Sequence, residues 1–480
     1  MMAERTYQEL ASDAAQRTFD VLLPALDRLS WSADQLDAHR RAGLAATLAH
    51  ATERSPWHAT RLATLDVGLD RVDPGDLSGL PTMSKGDLMA HWDDIVTDER
   101  LDLATARAHL ARLDAEGPAA LLDEYHVLTT GGSTGEPGVF CWSLAETLVW
   151  GASVMRFTAA AGFGPPLRTA WVGARSLRHP SAALAVLAGV RAGGPATTEL
   201  CVPIDQPVAA IVARLNELRP DSLWVVSSVL PSLVEAAQRG ALRIDVDWIS
   251  VGSDVLDPAA AAAAAETFEA AVLEGYPTTD VGHIAQQAPG ERGLYVNDDL
   301  LIVEPVDEHD HPVEPGEWAD HLLVTSLHHR TLPLIRYRID DRVRLDPEPG
   351  ERHPGFRRIA AIDGRTDDLF RYGDLTVHPH VFRTVISRHI AIKDFQVHQT
   401  PAGADVQVIV AGHLDPRSLT TDLQHALVHA GLTHPHVTVT RIDQPTRTPV
   451  GKRLRFIPDD RPPHTALATS SASNHRAPGR

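Results

Sequence analysis

Between about residues 125 and 340 the chain alternates short apolar runs with helical stretches, and this alternation constrains its fold more than any other feature. The runs fall at 169–172, 222–226, 248–251 and 271–273, and helical stretches such as 207–218 and 258–270 lie among them. Strands alternating with helices form a largely parallel sheet covered on both faces, which makes the fold class α/β. Before residue 125 the texture is helical, with Leu44, Leu48 and Ala51 at helical spacing and similar spacing at Leu103, Leu110 and Leu113. Ser55-Pro56 and Leu80-Pro81 break those helices. From about 293 to 346 strand follows strand, at 300–303, 321–324 and 334–338, separated by turns such as Glu314-Pro315-Gly316. This reads as antiparallel structure appended to the sheet.

A turn-rich stretch at 347–355 leads to a boundary near 364 and a compact mixed segment with strands at 406–410 and 437–440 and a helix at 419–430. The expected organisation is therefore a large domain, helical over 1–125 and sheet-bearing over 126–364, then a small α+β domain over 365–458. The tail 459–480 has almost no large apolar side chains and should be disordered.

Composition removes several function classes. With 480 residues, 43% of them hydrophobic, the chain can build more than one core. Its formal charge is −19, and no basic stripe offsets that field, so nucleic acid is not an expected partner. No apolar run reaches the roughly 18 residues of a membrane span, and the first residues lack a secretory layout, so a cytoplasmic protein is expected. Cys141 and Cys201 have neither a framework nor metal-ligand spacing and read as inert thiols. Lysine occurs only at 85, 393 and 452, so a role needing a primary ammonium has three candidates.

Five segments carry chemistry. Thr129 to Gly138 holds four glycines and four hydroxyls in ten residues, a loop whose N–H and hydroxyl groups can wrap a phosphate chain, though such a loop is also an ordinary turn. It lacks the Gly-Lys-Ser/Thr ending of the common phosphate loop. Glu274-Gly275-Tyr276-Pro277-Thr278-Thr279-Asp280 follows an apolar run, so a hydroxyl beside a carboxylate at a strand end can meet a phosphate oxygen and Mg²⁺. Leu334 to Asp341 reads as a strand ending in two acids, either of which can accept the hydroxyls of a ribose. Asp363-Gly364-Arg365-Thr366-Asp367-Asp368 lies at the boundary, and Arg447-Thr448-Pro449-Val450-Gly451-Lys452 presents an ammonium on a Gly-led turn.

In this order the five segments resemble the core motifs of the adenylate-forming superfamily, and most closely its phenylacetate-CoA ligase branch. Ser55-Pro56-Trp57-His58, Leu80-Pro81-Thr82-Met83-Ser84-Lys85 and Pro333-Leu334-Ile335-Arg336-Tyr337-Arg338 strengthen the likeness, which runs from about 37 to 457. The resemblance implies a large domain and a small mobile one, ATP and Mg²⁺ as cofactors, and activation of a carboxylic acid as its adenylate with pyrophosphate release. The acid is expected to be aryl or arylalkyl, and coenzyme A to accept the acyl group. An amine or a carrier-protein thiol as acceptor, or a non-catalytic adenylate-binding homologue, are the alternatives. A homodimer is the assembly relatives imply.

Carried over by position, Thr130, Gly132, Ser133, Thr134 and Gly135 match the phosphate loop. Thr279 and Asp280 match the pair that meets the α-phosphate and the metal, with Thr278 beside them. Ser253 and Asp254 match a segment near adenine, and Tyr276 and Pro277 should line that pocket. Asp341 matches the ribose acid, Arg365 a ribose-reaching arginine, Asp367 the hinge, and Lys452 the lysine that bridges acid and phosphate. Phe140, Trp142, Trp171 and Ser228 are candidates for the acyl pocket. Four departures from the pattern stand out: Glu136 where relatives have Lys, Asp280 for Glu, Ile339-Asp340 for the usual Thr-Gly before the acid, and Gly131 for a hydroxyl residue.

Overall fold

Helices come first, as the spacing before residue 125 requires: α1 (Tyr7–Gln16), α2 (Thr18–Arg28), α3 (Ala33–Arg54), α4 (Pro56–Leu62), α5 (Lys85–Ala90), α6 (Trp92–Ile95) and α7 (Leu103–Glu116). The computed structural model describes residues 5–63, 68, 71–130, 137–164, 168–253, 256–363, 370–373, 375–377, 380–386, 388–389, 391–410, 412–443 and 456–458. Local chemistry sets the helix starts. Thr6, Ser32 and Ser84 each accept from the backbone N–H three residues on, while Glu9, Gln35 and Asp87 return the bond, so two orphan donors are satisfied at each end. The chain divides into two compact units, Met1–Thr366 and Asp367–Arg480.

In the first unit β1 (Tyr125–Thr129) pairs antiparallel with β2 (Val139–Ser143), Thr129 opposite Val139, so the Gly-rich stretch connects a hairpin. After α8 (Leu144–Ala160) the expected alternation runs β3 (Thr169–Gly173), α9 (Pro180–Arg191), β4 (Cys201–Pro203), α10 (Val208–Leu218), β5 (Ser222–Val226), α11 (Leu230–Gln238), β6 (Trp248–Gly252), α12 (Pro258–Phe268) and β7 (Ala271–Thr278). Then come β8 (Gly282–Gln286), β9 (Leu294–Val296), β10 (Leu301–Val306), β11 (His321–Ser326), β12 (Tyr337–Ile339), β13 (Arg342–Leu345) and β14 (Arg358–Asp363).

The main sheet has nine strands in the order β13-β14-β9-β8-β7-β6-β5-β3-β4. From β4 to β7 the pairings are parallel, and from β7 through β8, β9 and β14 to β13 they are antiparallel, so β7 is where the sheet changes sense. Two sequence expectations are corrected. The runs near 300, 321 and 337 do not extend this sheet but form their own antiparallel sheet, β10-β11-β12. Every residue of β11 and five of the six of β10 are buried, so these strands need cover on both faces and lie as an inner layer. And 334–336 is not strand, because Arg336 sits at a φ of +50° and β12 begins only after it. That backbone is held by the Arg336 N–H donating to Thr325 Oγ1 (2.9 Å), its Nη1 to the Leu80 carbonyl (2.7 Å) and an ion pair to Glu304 (3.1 Å). The Arg-Tyr-Arg wording is thus the seam that ties the Leu80–Met83 segment to the inner sheet, with Met83 N–H donating to the Arg336 carbonyl.

The second unit carries β15 (Phe370–Tyr372) and β16 (Leu375–Val377), α13 (His380–Ile386), β17 (Ile392–Thr400), β18 (Gly403–Val410), α14 (Pro416–His429), β19 (His436–Arg441) and β20 (Phe456–Ile457). Its four-stranded sheet runs β19-β18-β17-β20. Leu419, Leu423 and Leu427, one helical turn apart, bury the inner face of α14 in a core that includes Phe370, Phe382 and Phe456. No helix among the described residues is long and apolar enough to cross a membrane.

Candidate active site

Where an open sheet changes sense, the loops leaving the carboxyl ends of its strands diverge and leave a crevice. β7 pairs parallel with β6 and antiparallel with β8, and at its end lies a recess of about 620 Å³, part of it open to solvent. Ser253, Pro277, Thr278 and Thr279 stand at this recess. Ser253 follows β6 with φ at +72°, and Gly252 lies so close to β7 that a Cβ there would stand 3.0 Å from the Gly275 carbonyl. The turn after β7 is closed by Thr278, whose Oγ1 accepts from Val281 N–H (3.2 Å).

The far wall is aromatic. Trp171 on β3 and Trp224 on β5 are register partners, which brings their rings into a stack with centroids 5.3 Å apart and 23° between planes. Trp150 and Val154 of α8 and Leu184 of α9 complete the apolar lining. His179, Ser181, Ser250, His283 and Gln286 supply polar groups, and among the described residues no Lys or Arg lines the recess. The ring of His283 is buried, and desolvation together with the nearby Arg156 charge holds it down at about 3, so it is neutral at physiological pH.

The phosphate-side candidates lie on connected elements. Thr130 closes the hairpin connection: its Oγ1 accepts from Gly138 N–H (2.9 Å), which leaves its own O–H to donate outward. Tyr276 donates its hydroxyl to Asp341 Oδ2 (2.7 Å), fixing that carboxylate beside β7. Asp340 is exposed and pairs with Arg338 Nε (2.7 Å), and the positive φ of this segment falls on Arg336, so the turn before Asp341 does not call for glycine. Thr279 and Asp280 are half-buried at the β7–β8 turn. Among the described residues no three acid, His or Cys groups cluster as a metal site. Lys85 borders a second recess with Arg338 and Asp340, and its Cε lies 3.3 Å from where a Cβ on Gly138 would stand, beside the hairpin connection.

Other candidates are placed differently. Phe140 and Trp142 are fully buried on β2, Trp142 stacked on His329 at 3.7 Å, and neither lines the recess. Ser228 lies in a short 3₁₀ turn after β5. Gly131, Gly132, Ser133, Thr134, Gly135, Glu136, Asp254, Arg365, Asp367 and Lys452 lie outside the described residues. Sequence reasoning passed over Trp150, His179, Trp224, His283 and Gln286. A second Trp in the next strand was the one available signal, since Trp224 occupies β5 much as Trp171 occupies β3. Cys141 and Cys201 are free, and burial raises both thiols, which leaves them protonated.

Comparison with known proteins agrees with this architecture. The chain is 23% identical over 375 residues to a phenylacetate-coenzyme A ligase of Aromatoleum evansii, covering 75% of this chain and 77% of that one. Against a phenylacetate-coenzyme A ligase of Escherichia coli (strain K12) it is 24% identical over 412 residues, 82% of this chain and 84% of the other. A crystal structure of 2-hydroxyisobutyryl-CoA ligase with 2-HIB-AMP and CoA matches with a TM-score of 0.57 at 16% identity, over 90% of this chain and 91% of that one, which establishes the fold. No family model matches the chain.

Proposed function

We propose that the chain is an AMP-forming ligase like the phenylacetate-coenzyme A ligases it resembles, that it activates an aromatic carboxylic acid in the recess at the end of β7 and that it passes the acyl group to coenzyme A. The observation that carries the aromatic assignment is the stacked Trp171–Trp224 wall of a recess whose other end is Thr278 and Thr279. A flat ring fits against such a wall with its carboxylate toward the hydroxyls. A carboxylate oxygen then attacks the α-phosphorus of ATP and pyrophosphate leaves. In the second step the coenzyme A thiolate attacks the acyl carbon and AMP leaves.

The first step joins two anions, so fixed donors and positive charge must be in place beforehand. Thr130 and Thr279 supply hydroxyls, and Asp341, held by Tyr276, is the ribose acceptor. Lys452 is the ammonium assigned to the α-phosphate by sequence position, and Arg365 and Asp367 are assigned to the moving boundary. Asp280 is the residue suited to Mg²⁺. One carboxylate beside hydroxyls, without an acid cluster among the described residues, fits a cation that arrives largely coordinated by phosphate oxygens and water.

The test is acid-dependent pyrophosphate release from ATP and Mg²⁺ across benzoic, phenylacetic, cinnamic and aliphatic acids, then product analysis with coenzyme A or amines. Release should occur with aromatic acids, give a thioester, and fall on the order of 100- to 1000-fold in Lys452→Ala. Release confined to aliphatic acids would remove the aromatic reading, and an amide without thioester would remove coenzyme A.

A further inference from the structure

The recess carries more hydrogen-bonding capacity than a plain hydrocarbon ring can use. Gly275 lies in β7 opposite Gln286 of β8, and a register shift in the same pair brings His283 to the same place. A Cβ on Gly275 would stand 2.9 Å from Gln286 Oε1 and 2.9 Å from His283 Nε2, so the bare glycine lets an amide and an imidazole converge over the strand at the wall of the recess. Both side chains are buried, His283 5% and Gln286 3% exposed. The His283 ring interacts with the Ser153 backbone, and Nε2 is the nitrogen that comes over Gly275. Among the described residues, the indole N–H groups of Trp150 and Trp171, two further wall residues, have no partner. A buried amide and a buried imidazole at the wall of a recess offer hydrogen bonds to a ligand seated against them.

The chemistry of these groups narrows the ligand. The indoles only donate, whereas the Gln amide and the imidazole each donate and accept. A hydroxyl suits that set, because its oxygen accepts from an N–H while its proton goes to Gln286 Oε1 or His283 Nε2. A second carboxylate does not, since among the described residues no Lys or Arg lines the recess to balance it. An amino group is the poorer match, because an aromatic amine is a weak acceptor.

Resting on the reading above that this recess holds the acid, we propose that His283 and Gln286 form a hydroxyl-recognising end of the pocket and that the substrate class is a ring-hydroxylated aromatic acid.

The experiment measures two readouts for the wild-type protein on matched benzoic and phenylacetic acids bearing hydrogen, hydroxyl, amino or a second carboxyl on the ring. Direct binding is followed by quenching of tryptophan fluorescence, and turnover by pyrophosphate release. One hydroxylated isomer should bind and react about 10- to 100-fold better than its unsubstituted parent, with the amino and dicarboxylic analogues behind it. Gln286→Leu should bring the two to within about threefold by weakening the hydroxylated acid alone. Should that variant fail to fold, Gly275→Ala, whose new methyl displaces both side chains, must give the same narrowing. Equal handling of parent and hydroxylated acids by the wild type, with release intact, overturns the proposal and leaves acid activation standing. Selective binding of hydroxylated acids without release keeps the proposal and removes the activation reading, and neither binding nor release overturns both.

Discussion

Two buried polar regions lie close together on this chain, and they are built on opposite principles. At the end of β9 Asp299 has no exposed side-chain surface, yet it accepts two bonds from Arg156 (2.8 Å each) and one from Arg28 (2.6 Å). Asp298 is likewise met by Arg357, through both its backbone N–H (2.9 Å) and its guanidinium. One strand away, His283 and Gln286 are as deeply buried at the wall of the recess, and the nearby Arg156 charge disfavours a proton on His283. Asn297 joins the regions, its Nδ2 donating to the His283 carbonyl (2.7 Å). Where Asp298 and Asp299 are paired with arginines, the region is a rivet that fixes α2 and α8 to the sheet. Where buried polar groups instead line a recess, a ligand can meet them.

Acid should separate the two regions, and this is the largest effect expected. Burial depresses the rings of His283 to about 3, His126 to about 4 and His58 to about 3. The unfolded chain takes up protons at these rings below about pH 6.5, and the folded chain refuses them until pH 3 to 4, so stability falls as pH drops through that window and is restored above it. Each ring costs up to roughly a few kcal/mol there, and together they rival the 5–15 kcal/mol of an ordinary domain. The Asp299 carboxyl, which burial alone would raise, is held near 2 by Arg156 and Arg28, so its contribution is lost only below about pH 4. Denaturant unfolding between pH 7.5 and 4.5 should show a steep loss, and a flat profile over that range would mean the histidines are not buried neutral.

Breaking the rivet ranks next. Asp299→Ala leaves Arg156 fully buried without its carboxylate, a change worth about 3–5 kcal/mol. Thermal unfolding should register that loss, while whatever protein remains folded should keep its ranking of acids, because no residue of the rivet lines the recess. A changed ranking at unchanged stability would reverse the roles assigned to the two regions.

The contrast also explains what could be read from sequence. Apolar runs and helical spacing report on burial, a local property, so the α/β alternation from β3 to β7 was legible to within a few residues. The Arg336 break was not, because its positive φ is maintained by Leu80, Thr325 and Glu304, which lie far off in the chain. Thr278, Thr279 and Asp280 on the β7 turn are proposed for the site from a resemblance of motifs, and the structure places Thr278 and Thr279 at the recess. His283 and Gln286 were not legible, for a histidine and a glutamine in a short strand look like any others until a register shift brings both over Gly275. Trp142 and Phe140 attracted notice as scarce aromatics, yet the hairpin turns them into the interior.

The smallest effect sits between the two regions, at a group that is paired from within and also assigned to a ligand. Tyr276→Phe removes one donor from Asp341 and leaves the ring that fills the space, so the loss in stability should be about 1 kcal/mol. If Asp341 accepts the ribose, its carboxylate also loses the bond that aims it, and KM for ATP should rise severalfold with kcat nearly kept. That split separates positioning from packing, because a purely structural tyrosine would shift the unfolding curve and leave KM alone. An unchanged KM for ATP in Tyr276→Phe, with the stability loss observed, would place Asp341 with the rivet as a carboxylate satisfied by its own fold.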